Sequence, residues 1–460
     1  MRTATGTPST ETLPDLPRVL GTSQATAIVV GTLIGSGIFL VPYEMMRATG
    51  SSGLVYLAWI AGGMLSLFGA MTYAELSAIM PYTGGEYVYL RDAYGNLTAF
   101  LYMWTWFAVA KPASIASVTM GLARTLAIFH CFAWLDGPAF RAPFAVSWGQ
   151  LFAIAVTWLI TGLNYLGIKK AADFQLVFTW LKGILILVIA GICFAATTGH
   201  WGNFRTTYAH AHGGFTGFMI ALIAALWAYD GWNDLTMVSG EVRNPQRNLP
   251  IALIAGLGIV AVLYMATNAA IQYILPAAQI AASPRPAVAA LGAVTGHWGA
   301  ALVSAVMALS IFVALNGTVM SGARVPFAAA RDRLFFRRMG DIHPRFQSPS
   351  TSLIVQAMLT TALLLAVGRF QQLFELAIFS EWLFYMITST TIFYYRRTQP
   401  AATTYRTWGY PFVPALFIAA AAVLLYYSYI ENLKNSIIGT VIILLGIPLY
   451  FVFRPIKRSS

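Results

Sequence analysis

Residues 30–42 read VGTLIGSGIFLVP, an apolar run interrupted at its centre by Gly35, Ser36 and Gly37. A glycine inside a helix costs about 1 kcal/mol relative to alanine, and backbone released inside a bilayer must find another partner. The run therefore either packs on a neighbour through Gly31 and Gly35, a small-xxx-small face, or unwinds to present bare backbone. A second run, 215–240 (FTGFMIALIAALWAYDGWNDLTMVSG), places Asp230, Gly231, Asn233 and Asp234 in a stretch otherwise suited to hydrocarbon. The amides after Ile34 would form the positive end of one half-helix, which attracts a carboxylate. The carbonyls around Trp227, Ala228 and Tyr229 would form the negative end of another, able to accept from an ammonium. Two such ends are complementary to a zwitterion, and the presence of the second favours the binding reading of the first.

The elements that carry these breaks follow from composition. The chain has 460 residues, 58% hydrophobic and 10% charged, with mean hydropathy +0.68, which describes an integral membrane protein. Apolar stretches of about 20 residues, the length that crosses a hydrocarbon core, recur along it. They give twelve predicted spans, at 22–47, 53–78, 97–129, 147–167, 174–198, 215–240, 250–275, 299–325, 351–368, 372–395, 412–431 and 436–453. The formal charge of +12 comes mainly from Lys and Arg in short connections and tails, where such residues set topology. It points to cytoplasmic termini, not to a nucleic-acid partner. Residues 1–20 are polar and lack a cleavable apolar core, so they read as a cytoplasmic tail.

The broken spans are the first and the sixth. Five spans per unit is an odd number, so two consecutive units must have inverted topology. The expected division is a first repeat at 21–198, a second at 215–397, two further helices at 410–454 and a tail at 455–460. Paired breaks in inverted repeats point to a binding site at the bilayer midplane.

Charged residues within spans are functional candidates by default. Lys182, in TWLKGILILVI, lies too far from either end of its span to snorkel comfortably. Lys111 precedes Pro112 and reads equally as a structural cation near a kink. Glu381, in FSEWLFY, is either a candidate proton site or the partner of a polar neighbour. Arg324, Arg331, Arg333, Arg337, Arg338 and Arg345 surround an LFF run and suggest a short amphipathic helix at the inner surface, most simply a topology anchor. The loop 200–214 holds His200, His210 and His212 without nearby carboxylates, a poor metal site. The six histidines are scattered, and no nucleophile or metal spacing appears, so neither an enzyme nor a cofactor is expected. A channel would need a continuous polar path, whereas the polar residues here are confined to two breaks.

VGTLIGSGIF, YAEL at 73–76, LWAYDGWN at 226–233 and GEVRNPQRNLP at 240–250 resemble the L-type amino-acid transporter (light-chain) family of the amino acid, polyamine and organocation superfamily. The resemblance runs from about Leu20 to the C-terminus. It implies an all-α membrane protein with a LeuT-like five-plus-five inverted repeat, broken helices 1 and 6, and two extra helices. It also implies sodium-independent, alternating-access transport of amino acids, commonly by exchange.

Carried over by position, the resemblance assigns the substrate carboxylate to the backbone of Ser36, Gly37 and Ile38, and the ammonium to the carbonyls of Ile34, Trp227 and Tyr229. Trp227 would be the outer gate. Lys182 would substitute for the sodium ion of related transporters, bridging spans one and eight. Asn316 would line the pocket, with Phe312 one turn earlier and Ser114 and Val118 as weaker candidates. Asp230 stands where members with large neutral substrates have glycine. It either pairs with a dibasic side chain or braces the broken helix, and small neutral substrates fit as well. Animal members pair with a glycoprotein through a loop cysteine. Cys131 lies near that position, but HCFAWLDGPAF does not resemble the pairing motif, and no obligatory heavy chain is expected. The expected location is the cell (inner) membrane.

Overall fold

The computed structural model describes residues 15–140, 146–366, 370–402, 404–431 and 433–453, with the side chains of 370–378 excluded. Most of the predicted N-terminal tail and the tail 455–460 lie outside these residues. The described chain is almost entirely helical. The first broken span is α1 (Thr22–Leu33) followed by α2 (Gly37–Thr49), whose axes differ by 42°. Next come α3 (Ser52–Ile79), the connecting helix α4 (Glu86–Tyr94), α5 (Asn96–Thr105) and α6 (Lys111–Leu126). Between α5 and α6 a π-helical turn spans Trp106–Ala110. Its cause is Pro112, which cannot donate to the carbonyl four residues back and clashes with it.

A two-stranded antiparallel ribbon, β1 (Pro138–Phe140) and β2 (Val146–Ser147), leads to α7 (Trp148–Tyr165) and α8 (Ile168–Ala195). The second broken span is α9 (Gly214–Ala228), five non-helical residues, and a single turn, α10 (Asp234–Met237). It is followed by α11 (Pro245–Ile274), the short α12 (Ala277–Ala282) and α13 (Pro286–Thr295), and α14 (His297–Gly322), which runs almost directly into α15 (Arg324–Arg331). The chain ends with α16 (Ser350–Ala366), α17 (Phe370–Thr398), α18 (Phe412–Glu431) and α19 (Leu433–Phe453).

Among the described residues six helices are long and apolar enough to cross a membrane, and seven if the bent pair α1 and α2 is one span. Outward faces carry large exposed apolar side chains such as Leu159, Val177, Trp180 and Val262, which suits contact with lipid. α1 is enclosed by α8, α11 and α14, while α2 lies along α9. The two breaks are thereby held side by side. The chain entering α1 is tied to the end of the second break, where the amides of Val19 and Leu20 donate to the Glu241 carbonyl.

The arginine-rich segment departs from expectation. Arg324 is fully buried: its Nε donates to Glu241 Oε1 at 3.0 Å and its Nη1 to the Met320 carbonyl. Residues Val325 to Ala330 of α15 are also buried, as are Leu334 and Phe335. This segment is therefore packed into the protein rather than laid on its surface, because an acidic partner 83 positions earlier in the chain draws its first arginine inward.

Candidate functional site

The first break is made by three glycines with different tasks. A Cβ at Gly31 would lie 2.2 Å from Gln175 Nε2 and 2.5 Å from Thr179 Oγ1, so this glycine lets α1 close onto α8. A Cβ at Gly35 would meet nothing within 4 Å, and one at Gly37 would press on Ala228 Cβ at 3.1 Å. Gly31 is therefore a packing glycine and Gly35 borders open space. Ile34 leaves the helix with φ −77° and ψ 85°, and the Gly35 amide folds back onto the Leu33 carbonyl at 2.9 Å. The amides of Gly37 and Ile38 fall in the first turn of α2, where no preceding helical carbonyl serves them.

Lys182 on α8 is fully buried. Its Nζ donates to the carbonyls of Gly31 and Ile34, both at 2.7 Å. The Ile34 carbonyl expected to receive a substrate ammonium thus already has a cationic donor.

At the second break the Tyr229 amide donates to Ala225 and the Asp230 amide to the Trp227 carbonyl at 3.1 Å. Gly231 follows with φ +107°, a conformation that favours glycine. The hydroxyl of Tyr264 on α11 lies 2.8 Å from the carbonyls of both Leu33 and Ala228, one from each break. A hydroxyl has one proton, so it serves one carbonyl at a time and leaves the other open to a donor.

Between the breaks lies a cavity of about 910 Å3, counting the solvent at its mouth. Of the expected site residues, Ser36, Gly37, Trp227 and Asp230 line it, as do Ser114, Val118 and Glu381. Ile34, Ile38 and Tyr229 do not: the first two are fully buried, and the Tyr229 ring packs against Trp59 and Tyr264.

Asn316 and Phe312 are also placed away from the cavity. The Asn316 amide donates to Gln175 Oε1 and the Ala171 carbonyl, and its oxygen accepts from Asn164 Nδ2. Every hydrogen-bonding arm is engaged between helices, and its neighbours Ala314 and Thr318 line the wall instead. The Phe312 ring packs against Phe174. The hydrogen-bonded link between α8 and α14 therefore runs through Gln175 and Asn316, while both bonds from Lys182 go to the first break.

One wall is densely charged. Lys111 Nζ donates to Asp234 Oδ1 at 2.6 Å, lies 4.0 Å from Glu381 Oε1, and sits 4.4 Å from the centre of the Trp106 ring. The Tyr385 hydroxyl donates to Asp230 Oδ1 at 2.9 Å. The carboxyls of Asp230 and Glu381 hydrogen-bond each other, an arrangement that requires a proton between them. Asp234, Tyr385 and Thr318 were not singled out from sequence as site residues. The first was visible as a carboxylate in an apolar run; the other two gave no signal.

Comparison with known proteins bears on what this cavity holds. The amino acid permease family model matches residues 20–452. The serine/threonine exchanger SteT of Bacillus subtilis (strain 168) is 31% identical over 450 residues, 96% of this chain and 98% of the relative. The mouse b(0,+)-type amino acid transporter 1 is 30% identical over 442 residues, 95% of this chain and 88% of its own length. The human cystine/glutamate transporter is 29% identical over 441 residues, 95% and 85% of the two chains. The match spans both breaks and the helices around them, and the chain belongs to the amino acid permease family, within the amino acid, polyamine and organocation superfamily and alongside its L-type members.

Proposed function

We propose that the protein is a sodium-independent amino-acid exchanger that moves small neutral L-amino acids across the cell membrane by alternating access. The observation that carries this is the meeting of the two breaks in one cavity. Ser36 and Gly37 offer the start of α2 to a carboxylate, and Ala228 ends α9 with a carbonyl able to accept from an ammonium. Lys182 supplies a fixed cation at unwound carbonyls, the kind of position that holds a coupling ion in sodium-driven carriers. In this reading the chain makes twelve spans, arranged as two inverted five-helix repeats and two further helices, with both termini cytoplasmic. Trp227 closes the cavity from outside.

Dibasic substrates are a second reading, favoured by Asp230 on the cavity wall. Proton-coupled import is a third, favoured by Glu381 beside it. The relatives named as a serine/threonine exchanger and as a b(0,+)-type transporter support exchange of amino acids but differ in name as to substrate. The test is uptake of labelled L-serine into proteoliposomes preloaded with unlabelled amino acids, with and without sodium. Trans-stimulated uptake indifferent to sodium is expected. Uptake that needs sodium, or an ion current without amino acid, would overturn the reading.

A further inference from the structure

The charged wall of the cavity has a second face. Behind Tyr385 lies a small buried cavity lined by Glu86, Thr105, Glu381 and Tyr385 among others. It leaves about 10 Å3 for the centre of a water-sized sphere, roughly what one water needs, and its lining supplies the polar partners such a water requires. Glu381 and Tyr385 border both cavities, whereas Glu86 borders only the inner one.

Glu86 opens α4, in the connection between α3 and α5, and it is fully buried. Asn233 Nδ2 donates to its Oε1 at 2.8 Å and Thr388 Oγ1 to its Oε2 at 3.2 Å. Tyr385 links the two sides, since its hydroxyl reaches Asp230 Oδ1 at 2.9 Å and Asn233 Oδ1 at 2.8 Å.

We propose that Glu381 and Glu86 form a proton relay, in which a proton taken from the central cavity onto Glu381 crosses the small cavity to Glu86 and leaves on the side of the connection between α3 and α5. The proposal rests on the carrier reading above and adds to it the route by which the cavity exchanges a proton. In the transfer the Glu381 carboxyl gives its proton to a water in the small cavity, and that water passes another to the Glu86 carboxylate. Glu381 ends as carboxylate, Glu86 as acid, and the pair's summed charge is unchanged.

The surroundings favour both ends of the transfer. Glu381 is faced by Lys111 from α6, Asp234 from α10, Asp230 from the second break and Tyr102 from α5. Lys111 stabilises its carboxylate, while Asp230 and Asp234 stabilise its acid form. Glu86 is faced by Tyr73 from α3, Tyr102 from α5 and, at longer range, Lys111. Burial pushes its carboxyl up to about 7 against the opposing hydrogen bonds from Asn233 and its other neighbours, which poises it to take and release a proton near neutral pH.

The experiment uses the full chain in proteoliposomes containing a trapped pH-sensitive dye and no amino acid, to which L-serine is added outside. A parallel set, preloaded with L-serine at equal pH on both sides, reads exchange alone. The wild type is expected to acidify the vesicle interior on L-serine addition. Glu86→Gln should reduce that signal at least tenfold while exchange stays within about threefold, and Glu86→Asp should restore the signal. Glu381→Gln should abolish the signal.

Exchange by the wild type with no pH change, or a Glu86→Gln protein with full pH change, would overturn the relay. If Glu86→Gln shows neither activity, Glu86→Asp decides: its loss of the pH signal with exchange intact would overturn the relay, and its retention of both would support it. Absence of exchange by the wild type with L-serine, L-alanine and L-arginine would overturn the carrier reading, and the relay with it.

Discussion

Lys182 and Ile34 are joined by a hydrogen bond of 2.7 Å from the ammonium to the carbonyl that the first break releases, and the same ammonium bonds Gly31 one turn earlier. A buried side chain on α8 thus caps the end of α1. Removing it leaves two carbonyls without a donor in a dry interior, at about 1–3 kcal/mol each. We expect Lys182→Met to lower L-serine exchange at least tenfold with the protein still inserted. Replacing sodium by choline should leave the wild type unaffected. Wild-type activity that rises with sodium would contradict the assignment of Lys182 as a fixed substitute for that ion.

Trp227 lies at the last turn of α9, lines the cavity, and comes 3.7 Å from where a Cβ on Gly37 would sit. It is the large side chain nearest the junction of the two breaks. Trp227→Ala is expected to cut uptake at least tenfold while surface expression persists, because the cavity would lose the ring that closes it. Unchanged uptake with normal expression would remove Trp227 from the gate.

What the sequence made legible follows a physical pattern. Both breaks could be read because glycine and carboxylate residues contradict an apolar helix locally, and Lys182 because a lone charge does so in its span. Partners distant in the chain could not be read. Lys111 meets Asp234 across 123 positions and Tyr264 reaches both Leu33 and Ala228, contacts that only the packing of α6, α10 and α11 determines. Asn316 shows the reverse limit. Its type suggested a pocket residue, but the chain also supplied Gln175 and Asn164 to absorb its amide. Gly31 and Gly35 looked alike in sequence, and only the approach of α8 separates the packing glycine from the one that faces open space.

The Arg324–Glu241 pair carries a stability prediction. Both side chains are fully buried, and removing one partner of a buried pair leaves an uncompensated charge at about 3–5 kcal/mol. Arg324→Met is expected to lower the thermal unfolding temperature of the purified protein sharply. The double variant Arg324→Met with Glu241→Gln should recover part of the loss, since no unpaired charge remains. A single variant as stable as the wild type would show that the pair is not held closed in the membrane.

Asp230 decides how the side-chain end of the cavity chooses its cargo, and L-arginine is the discriminating probe. Its carboxyl is held by the Tyr385 hydroxyl and by Glu381, yet it lines the cavity. If it pairs with a cationic side chain, Asp230→Asn should weaken competition by L-arginine about tenfold more than competition by L-serine, because only the former loses a charge partner. If it only braces the break against α17, both competitors should weaken alike, and Tyr385→Phe should reproduce the effect by removing the same hydrogen bond. The neutral-substrate reading expects this second pattern, with L-arginine competing poorly even in the wild type. Strong wild-type competition by L-arginine that Asp230→Asn selectively abolishes would replace it with the dibasic one.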